Sequence, residues 1–381
     1  MLEQFTISVF IPPAIAFLLV VLLIMPLRKA ARITGMVDKP GGRKQHENEV
    51  PPVGGLIIFL IFMILGVVFD IVNFNKYWAL YAGLIILLTS GALDDKFHIA
   101  AKIKMVFHIV AAMVIAFGGN VQAAYLGNLF GFGVVWTGFM SYPLTIIAIV
   151  LLINAMNLMD GMDGLVGGVS AVIFTWFMVA AISMGWFDYA QVLALLIACI
   201  CGFLVFNMRN PWRRKASLFL GDAGSMSIGL TIAWFAVLLA RGPHAPIEPI
   251  AVAWIIGFPI FDTCAQFYRR VREGKHPFSP DRGHFHHHFI DAGIPVRYAS
   301  ILIIAIVAVM GGIGMGGISL GVPPYILTLG WVGLLLAHMI ISRKPERYVR
   351  IIRKVFSRFI ASARNDAPLQ GKPIGGCVDK G

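Results

Sequence analysis

Charge is what this sequence has least of. Only 13% of its 381 residues are Asp, Glu, Lys or Arg, about half the share of an ordinary soluble domain. Hydrophobic residues make up 58%, and the mean hydropathy is +0.81. A soluble fold cannot hide apolar runs of about 20 residues that recur from end to end. Soluble enzyme, secreted scaffold and disordered binder are therefore excluded. Cysteine is also scarce: Cys199, Cys201, Cys264 and Cys377 show no paired extracellular pattern. The first three lie in or beside apolar segments, where a thiol behaves as a small hydrophobe, so neither a disulfide nor a metal site is expected from them. No inverted or parallel internal repeat is evident, which weighs against the commonest transporter architectures. Carboxylates are outnumbered, 19 Asp+Glu against 31 Lys+Arg. In a soluble protein that surplus would suggest nucleic acid; in a bilayer it is explained by orientation, and no nucleic-acid partner is expected.

What is present is a series of eleven apolar stretches, at 6–26, 51–69, 77–93, 105–119, 141–156, 165–184, 189–207, 223–240, 249–268, 298–317 and 323–342. They imply an all-α polytopic membrane protein, a bundle of about eleven transmembrane helices. The basic cluster Arg28, Lys29, Arg32 follows the first run rather than preceding it, the reverse of a signal peptide's charge order, so an uncleaved first span with its N-terminus outside is expected. An odd number of spans then puts the C-terminus in the cytoplasm. Cytoplasmic loops should hold the Lys and Arg, and this arrangement places 29 of the 31 there, leaving only Lys76 and Arg241 outside. The Gly- and aromatic-rich segment 120–140 has no Lys or Arg and reads as a short outer hairpin or re-entrant piece. Residues 1–342 form the transmembrane domain and 343–381 a basic cytoplasmic tail, helical at first (RKPERYVRIIRKVFSRF).

With orientation set, Asp94, Asp95, Asp160, Asp163, Asp222, Asp281 and Asp291 all fall on the inner side. The span centres carry almost no charge, whereas transporter sites lie near mid-membrane. Asp262, after Phe258-Pro259, either orients loop residues or is a plain helix-end carboxylate. Adjacent Asp94 and Asp95 repel and require a cation or a proton; a divalent metal, Lys96, Lys102 or Lys104 would serve. Asn154, Asn157, Asp160 and Asp163 recur at intervals of three, one face if the segment is helical, and such amides and carboxylates suit a sugar or nucleoside. Asp222 lies between glycines at the head of the eighth span, where it could hold Mg²⁺ together with substrate phosphates. The last inner loop carries Arg282, His284, His286, His287 and His288. No second cluster completes a zinc site, and imidazoles beside an arginine fit a diphosphate better. Lys44 and His46, with Arg43, add basic groups among turn formers in the first inner loop; with Lys102 they are candidates for a phosphate or lipid phosphate, or else plain topology charge. Together these loops suit Mg²⁺-assisted phosphoryl transfer between a soluble nucleotide and a lipid.

The strings VDKPGGRKQHENEVPPVGG, DDKFHIAAKIK, NAMNLMDGMDGL, FLGDAGS and PFSPDRGHFHHH, in this order, resemble the polyprenyl-phosphate N-acetylhexosamine-1-phosphate transferases. The His-loop form resembles the branch that handles simple sugars rather than the peptidoglycan precursor. The resemblance implies transfer of N-acetylglucosamine 1-phosphate from UDP-N-acetylglucosamine to undecaprenyl phosphate with release of UMP, at the bacterial inner membrane. It also implies a Mg²⁺ or Mn²⁺ requirement and a role in starting a cell-surface polysaccharide such as O-antigen. Asp222 then corresponds to the principal metal ligand, with Asp94 or Asp95 engaging or deprotonating the lipid phosphate. Asn157, Asp160, Asp163 and Asn207 correspond to nucleotide or sugar contacts, Phe219 to an aromatic that stacks on uracil, and His286 and His287 to diphosphate contacts. His108 stands where many relatives have Gln, and Ala100-Ala101 where Ser-Pro or Ser-Val is usual, which leaves the lipid contacts of the fourth span open. A sister enzyme using another UDP-N-acetylhexosamine or UDP-MurNAc-pentapeptide, and a lipid-linked sugar flippase, are the rival readings. A homodimer is compatible with the sequence.

Overall fold

The computed structural model describes residues 2–35, 37, 50–276 and 283–358. Apolar runs become helices because a buried or lipid-facing backbone must satisfy its own polar groups. The order is α1 (Leu2–Ile33), α2 (Gly54–Val68), α3 (Phe74–Phe97), α4 (Ala101–Met113), α5 (Ser141–Met159), α6 (Leu165–Ser183), α7 (Phe187–Asn207), α8 (Gly221–Leu238), α9 (Pro249–Ile255), α10 (Gly257–Arg272), α11 (Phe285–Asp291), α12 (Val296–Ser319), α13 (Pro324–Ser342) and α14 (Pro345–Val355). One π turn, Val114–Gly118, extends α4.

Every expected apolar stretch is helical, with two departures. The second, α2, is only 15 residues long, about 22 Å at the α-helical rise and short of the hydrocarbon thickness. The ninth is broken into α9 and α10, which meet at 71°. Pro259 removes a backbone donor just past the break. The bend leaves α10 amphipathic, with Asp262, Gln266 and Arg270 at intervals of four on one buried stripe. The 120–140 segment is a short hairpin: Tyr125 and Trp136 form an antiparallel bridge, and Leu126 donates to Val135 O at 3.0 Å.

Position in the bundle follows from burial. The α8 window is 89% buried inside the protein, whereas α13 is 11% buried, so α8 is the hub and α13 faces lipid. Around α8 stand α2, α3, α5 and α6. The N-terminus of α8 therefore lies where the ends of α2, α3 and α5 converge, and the polar residues collect there.

Candidate active site

Asp222 occupies the first turn of α8. Gly221 precedes it with φ +77, a left-handed conformation that glycine adopts without steric cost. A Cβ at Gly221 would also overlap Pro52 O and crowd Asp95 Oδ2. This close approach lets Asp95 Oδ1 accept the Asp222 backbone N–H at 3.1 Å. Asp95 thus caps α8 from the neighbouring helix, satisfying a donor the helix start leaves unpaired. Its other oxygen is buried and has no hydrogen-bond partner among the described residues.

Asp94 faces the other way. Its Oδ2 accepts from Lys104 Nζ at 2.8 Å, and the same ammonium reaches Asp222 Oδ2 at 2.7 Å. Asn157 Nδ2 donates to Asp222 Oδ1 at 3.0 Å and lies equally close to Ser225 Oγ. One positive centre from α4 therefore bridges carboxylates of α3 and α8, and an amide from α5 fixes the remaining oxygen. Lys102 is exposed on α4; two residues from Lys104, it lies about 200° around the helix. On the inner face, one turn from Lys104, His108 Nε2 lies 2.9 Å from Met226 Sδ, and its Nδ1 lies 3.3 Å from Asn154 Nδ2.

The regular spacing of the amides and carboxylates is helical only in part. Helix α5 ends at Met159 and Gly164 has φ +76, so Asn154 and Asn157 share a face while Asp160 and Asp163 sit in the turn beyond it. Asp160 is exposed to solvent; the protein packed near it, then the charges of Asp222, Asp95 and Asp163, raise its pKa above the usual carboxylate range. Asp163 turns away: its Oδ2 accepts from Arg209 Nε at 2.6 Å, and its backbone oxygen accepts from Ser300 Oγ at 2.8 Å. Asn207 is likewise engaged at both ends of its amide, accepting from Gly164 N at 2.8 Å and donating to Leu218 O at 2.9 Å. These two residues pin the Asp160 turn and the 208–220 loop in place. Phe219 is half-buried beside them, its backbone oxygen accepting from Gly54 N at 3.0 Å.

The histidine run approaches the same turn. A Cβ on Gly161 would crowd His286 Nε2, so the imidazole lies directly against that glycine. Among the described residues neither His286 nitrogen has a hydrogen-bond partner, though the ring is buried. Burial, then the neighbouring His287, pushes its pKa down to about 3; the group is a neutral donor and acceptor rather than a cation. The His287 ring lies 4.2 Å from it, centroid to centroid.

His284 is held differently. Its Nδ1 lies 3.0 Å from Asp262 Oδ2, and Arg270 Nη2 lies 3.3 Å from its Nε2. Arginine only donates, so His284 accepts at Nε2 and donates a hydrogen bond from its Nδ1–H to Asp262 Oδ2. Asp262 Oδ1 also accepts the Phe285 N–H at 2.9 Å, and Gln266 Nε2 donates to Gly283 O at 2.6 Å. The buried stripe of α10 thus orients the loop that starts α11, one of the two roles open to Asp262. Lys44, His46 and Arg282 lie outside the described residues.

The donor set at Asp94 and Asp222 consists of hard oxygens aimed at one positive centre. It suits Mg²⁺ or Mn²⁺, which take one or two carboxylates and leave other positions to water and phosphate. Among the described residues no group of three or more His, Cys, Asp or Glu is arranged to hold a metal, so substrate oxygens would have to complete the shell. The arrangement as a whole joins two carboxylates and an exchangeable cation to an exposed Asp160 and a neutral imidazole. These groups suit a substrate with a run of phosphates.

Comparison with known proteins supports that chemistry. Residues 77–240 match the family model described as glycosyl transferase family 4. An undecaprenyl-phosphate alpha-N-acetylglucosaminyl 1-phosphate transferase of Escherichia coli O157:H7 is 36% identical over 349 residues, covering 90% of this chain and 93% of that protein. Proteins of the same description from Salmonella typhi (34% identical; 92% of this chain, 95% of theirs) and Haemophilus influenzae (34%; 90% and 97%) are also similar.

Proposed function

On the premise that this chain belongs to glycosyl transferase family 4, we propose that it transfers N-acetylglucosamine 1-phosphate from UDP-N-acetylglucosamine to undecaprenyl phosphate, releasing UMP. This is the step that starts a lipid-linked cell-surface polysaccharide. The observation that carries the reading is the Lys104 ammonium shared between Asp94 and Asp222, 2.8 and 2.7 Å from their oxygens.

The lipid phosphate is already a competent nucleophile near neutral pH, so the chain needs chiefly to align it with the β-phosphorus and stabilise the charge that moves to UMP. Lys104 supplies a positive charge that can turn from the carboxylates toward an incoming phosphate. Asn157 holds Asp222 in orientation, and Asp95 holds the α8 start from which Asp222 projects. Asp160, exposed in the turn beside Gly161, is placed to accept a hydrogen bond from a sugar hydroxyl. His286, neutral and without a hydrogen-bond partner among the described residues, offers a further hydrogen bond at Gly161. Asp222 and Asp94 would hold Mg²⁺ or Mn²⁺, which supplies charge neutralisation at the diphosphate oxygens when bound. Among the adjacent aspartates, Asp94 faces the site and Asp95 lies behind Gly221, so the lipid phosphate is assigned to Asp94.

The loops at this end of the bundle include the basic 208–220 segment and the start of α4. By the positive-inside rule the site opens to the cytoplasm, with the chain in the bacterial inner membrane. The test is UMP release by purified protein given undecaprenyl phosphate and a panel of UDP-sugars, with and without a chelator. UDP-N-acetylglucosamine should be the preferred donor and chelation should stop release. A preference for UDP-MurNAc-pentapeptide, or release that ignores the chelator, overturns the assignment.

A further inference from the structure

A second concentration of charge lies away from the carboxylates. The C-terminal end of α10, the end of α13 and the start of α14 enclose a cavity of about 460 Å³ lined by Arg269, Arg272, Arg343, Lys344 and Arg347. Glu273 is the only acid in the lining, and its carboxylate already pairs with Lys275 at 2.7 Å. Among the described residues Arg343, Lys344 and Arg347 make no ion pair with a carboxylate. Three such cations facing one cavity, Arg343, Lys344 and Arg347, repel unless an anion is present.

The surroundings identify what kind of anion. Helix α13 is almost wholly lipid-facing, and its apolar stretch stops at Ser342, so Arg343 and Lys344 emerge where hydrocarbon gives way to headgroups. Ile340, exposed one turn earlier, forms an apolar wall of the same cavity. Helix α14 buries Tyr348 and Ile352 against the protein and exposes Ile351 and Val355, four apart on another face and beside basic residues. A short helix with exposed apolar and cationic groups lies in the plane of the interface. The cavity therefore opens at headgroup depth, with an apolar lip for an acyl chain.

We propose that this cavity is a binding site for the phosphodiester headgroup of an anionic membrane lipid, separate from the site of transfer. The occupant is a lipid of the phosphatidylglycerol type rather than a soluble phosphate, because the cavity joins the cations to a lipid-facing apolar wall. Basic pockets between transmembrane helices are known to hold such headgroups. The site also adjoins the histidine loop. Arg269 donates to Gln266 Oε1 at 2.6 Å, and its guanidinium lies against Gly283, where a Cβ would overlap it.

The test reads lipid binding directly and is independent of transferase activity, so it stands or falls apart from the functional assignment. The full chain is reconstituted in phosphatidylcholine containing a minor fraction of phosphatidylglycerol, extracted into mild detergent, and the retained lipids are counted by native mass spectrometry. Wild type should retain phosphatidylglycerol. The variant Arg343→Gln/Lys344→Gln/Arg347→Gln should lose it, with apparent affinity down roughly fivefold for each cation removed and about a hundredfold in total. The charge-matched variant Arg350→Gln/Lys354→Gln/Arg358→Gln, altered outside the cavity, should keep it. Equal loss in both variants means diffuse surface attraction and overturns the proposal, as does undiminished retention in the first. Displacement of the lipid by millimolar inorganic phosphate overturns the assignment to a lipid.

Discussion

Two charged clusters lie at one end of this bundle, and they are built on opposite principles. In the first, Asp94, Asp222 and Lys104 meet with 12, 28 and 22% of their side-chain surfaces still open. In the second, Asp262, His284 and Arg270 are essentially buried, and the polar contacts of Asp262 and His284 are used within the protein. A lysine on a long flexible stem is an exchangeable counter-ion, so the open cluster can give it up when a ligand brings its own charge. The sealed cluster has no such freedom, because a buried charge stripped of its partner is destabilising by about 3–5 kcal/mol. One cluster is arranged to react; the other is arranged to keep α10 and the start of α11 in register.

The contrast can be broken most forcefully at Asp222. Asp222→Asn keeps the shape and the Asn157 contact but removes the charge, and we expect UMP release at saturating substrates to fall about a thousandfold with little change in thermal stability. Turnover near the wild-type level would remove Asp222 from the centre. Asp262→Asn should do the reverse, lowering stability by about 3 kcal/mol, read as a clear drop in melting temperature, while the folded fraction retains most of its turnover. A stable but inactive Asp262→Asn would place the sealed cluster in the chemistry.

The histidine loop sharpens the comparison on a smaller scale. Burial holds His286 and His288 neutral, with pKa values pushed down to about 3 and about 4 from 6.5. The unfolded chain therefore takes up protons that the folded chain refuses. Stability should be complete above about pH 6.5 and fall as the pH drops toward 4 and then 3. His286→Gln should flatten the lower part of that decline in a melting series across pH.

The spans were readable because an apolar run of about 20 residues is a local property, and Pro259 already marked the place where the ninth breaks. The gathering of Asp94, Asp222 and Asn157 followed from their places at helix ends on one side. What was hidden is the choice among chemically equal candidates. Lys102 and Lys104 both qualified as counter-ions; only the four-residue spacing of Lys104 and His108 marks the inward face. Asn207 and Asp163 have the side chains of a sugar site, but loop backbone and Arg209 take up their hydrogen bonds. The four imidazoles look alike in sequence, yet His284 is locked to Asp262, His286 faces Gly161, and His288 stacks on Tyr348 at 5.4 Å. Those differences arise from where the bend between α9 and α10 carries Asp262 and the loop before α11, a tertiary placement that Pro259 alone does not reveal.

The open cluster works by exchanging its ammonium for a divalent ion and a phosphate. Electron paramagnetic resonance of Mn²⁺ added with UDP-N-acetylglucosamine reads that exchange directly, on wild type, Asp222→Asn and Asp262→Asn corrected for folded protein. One bound ion in wild type and Asp262→Asn, and none in Asp222→Asn, is the predicted result. Undiminished Mn²⁺ binding by Asp222→Asn would contradict it.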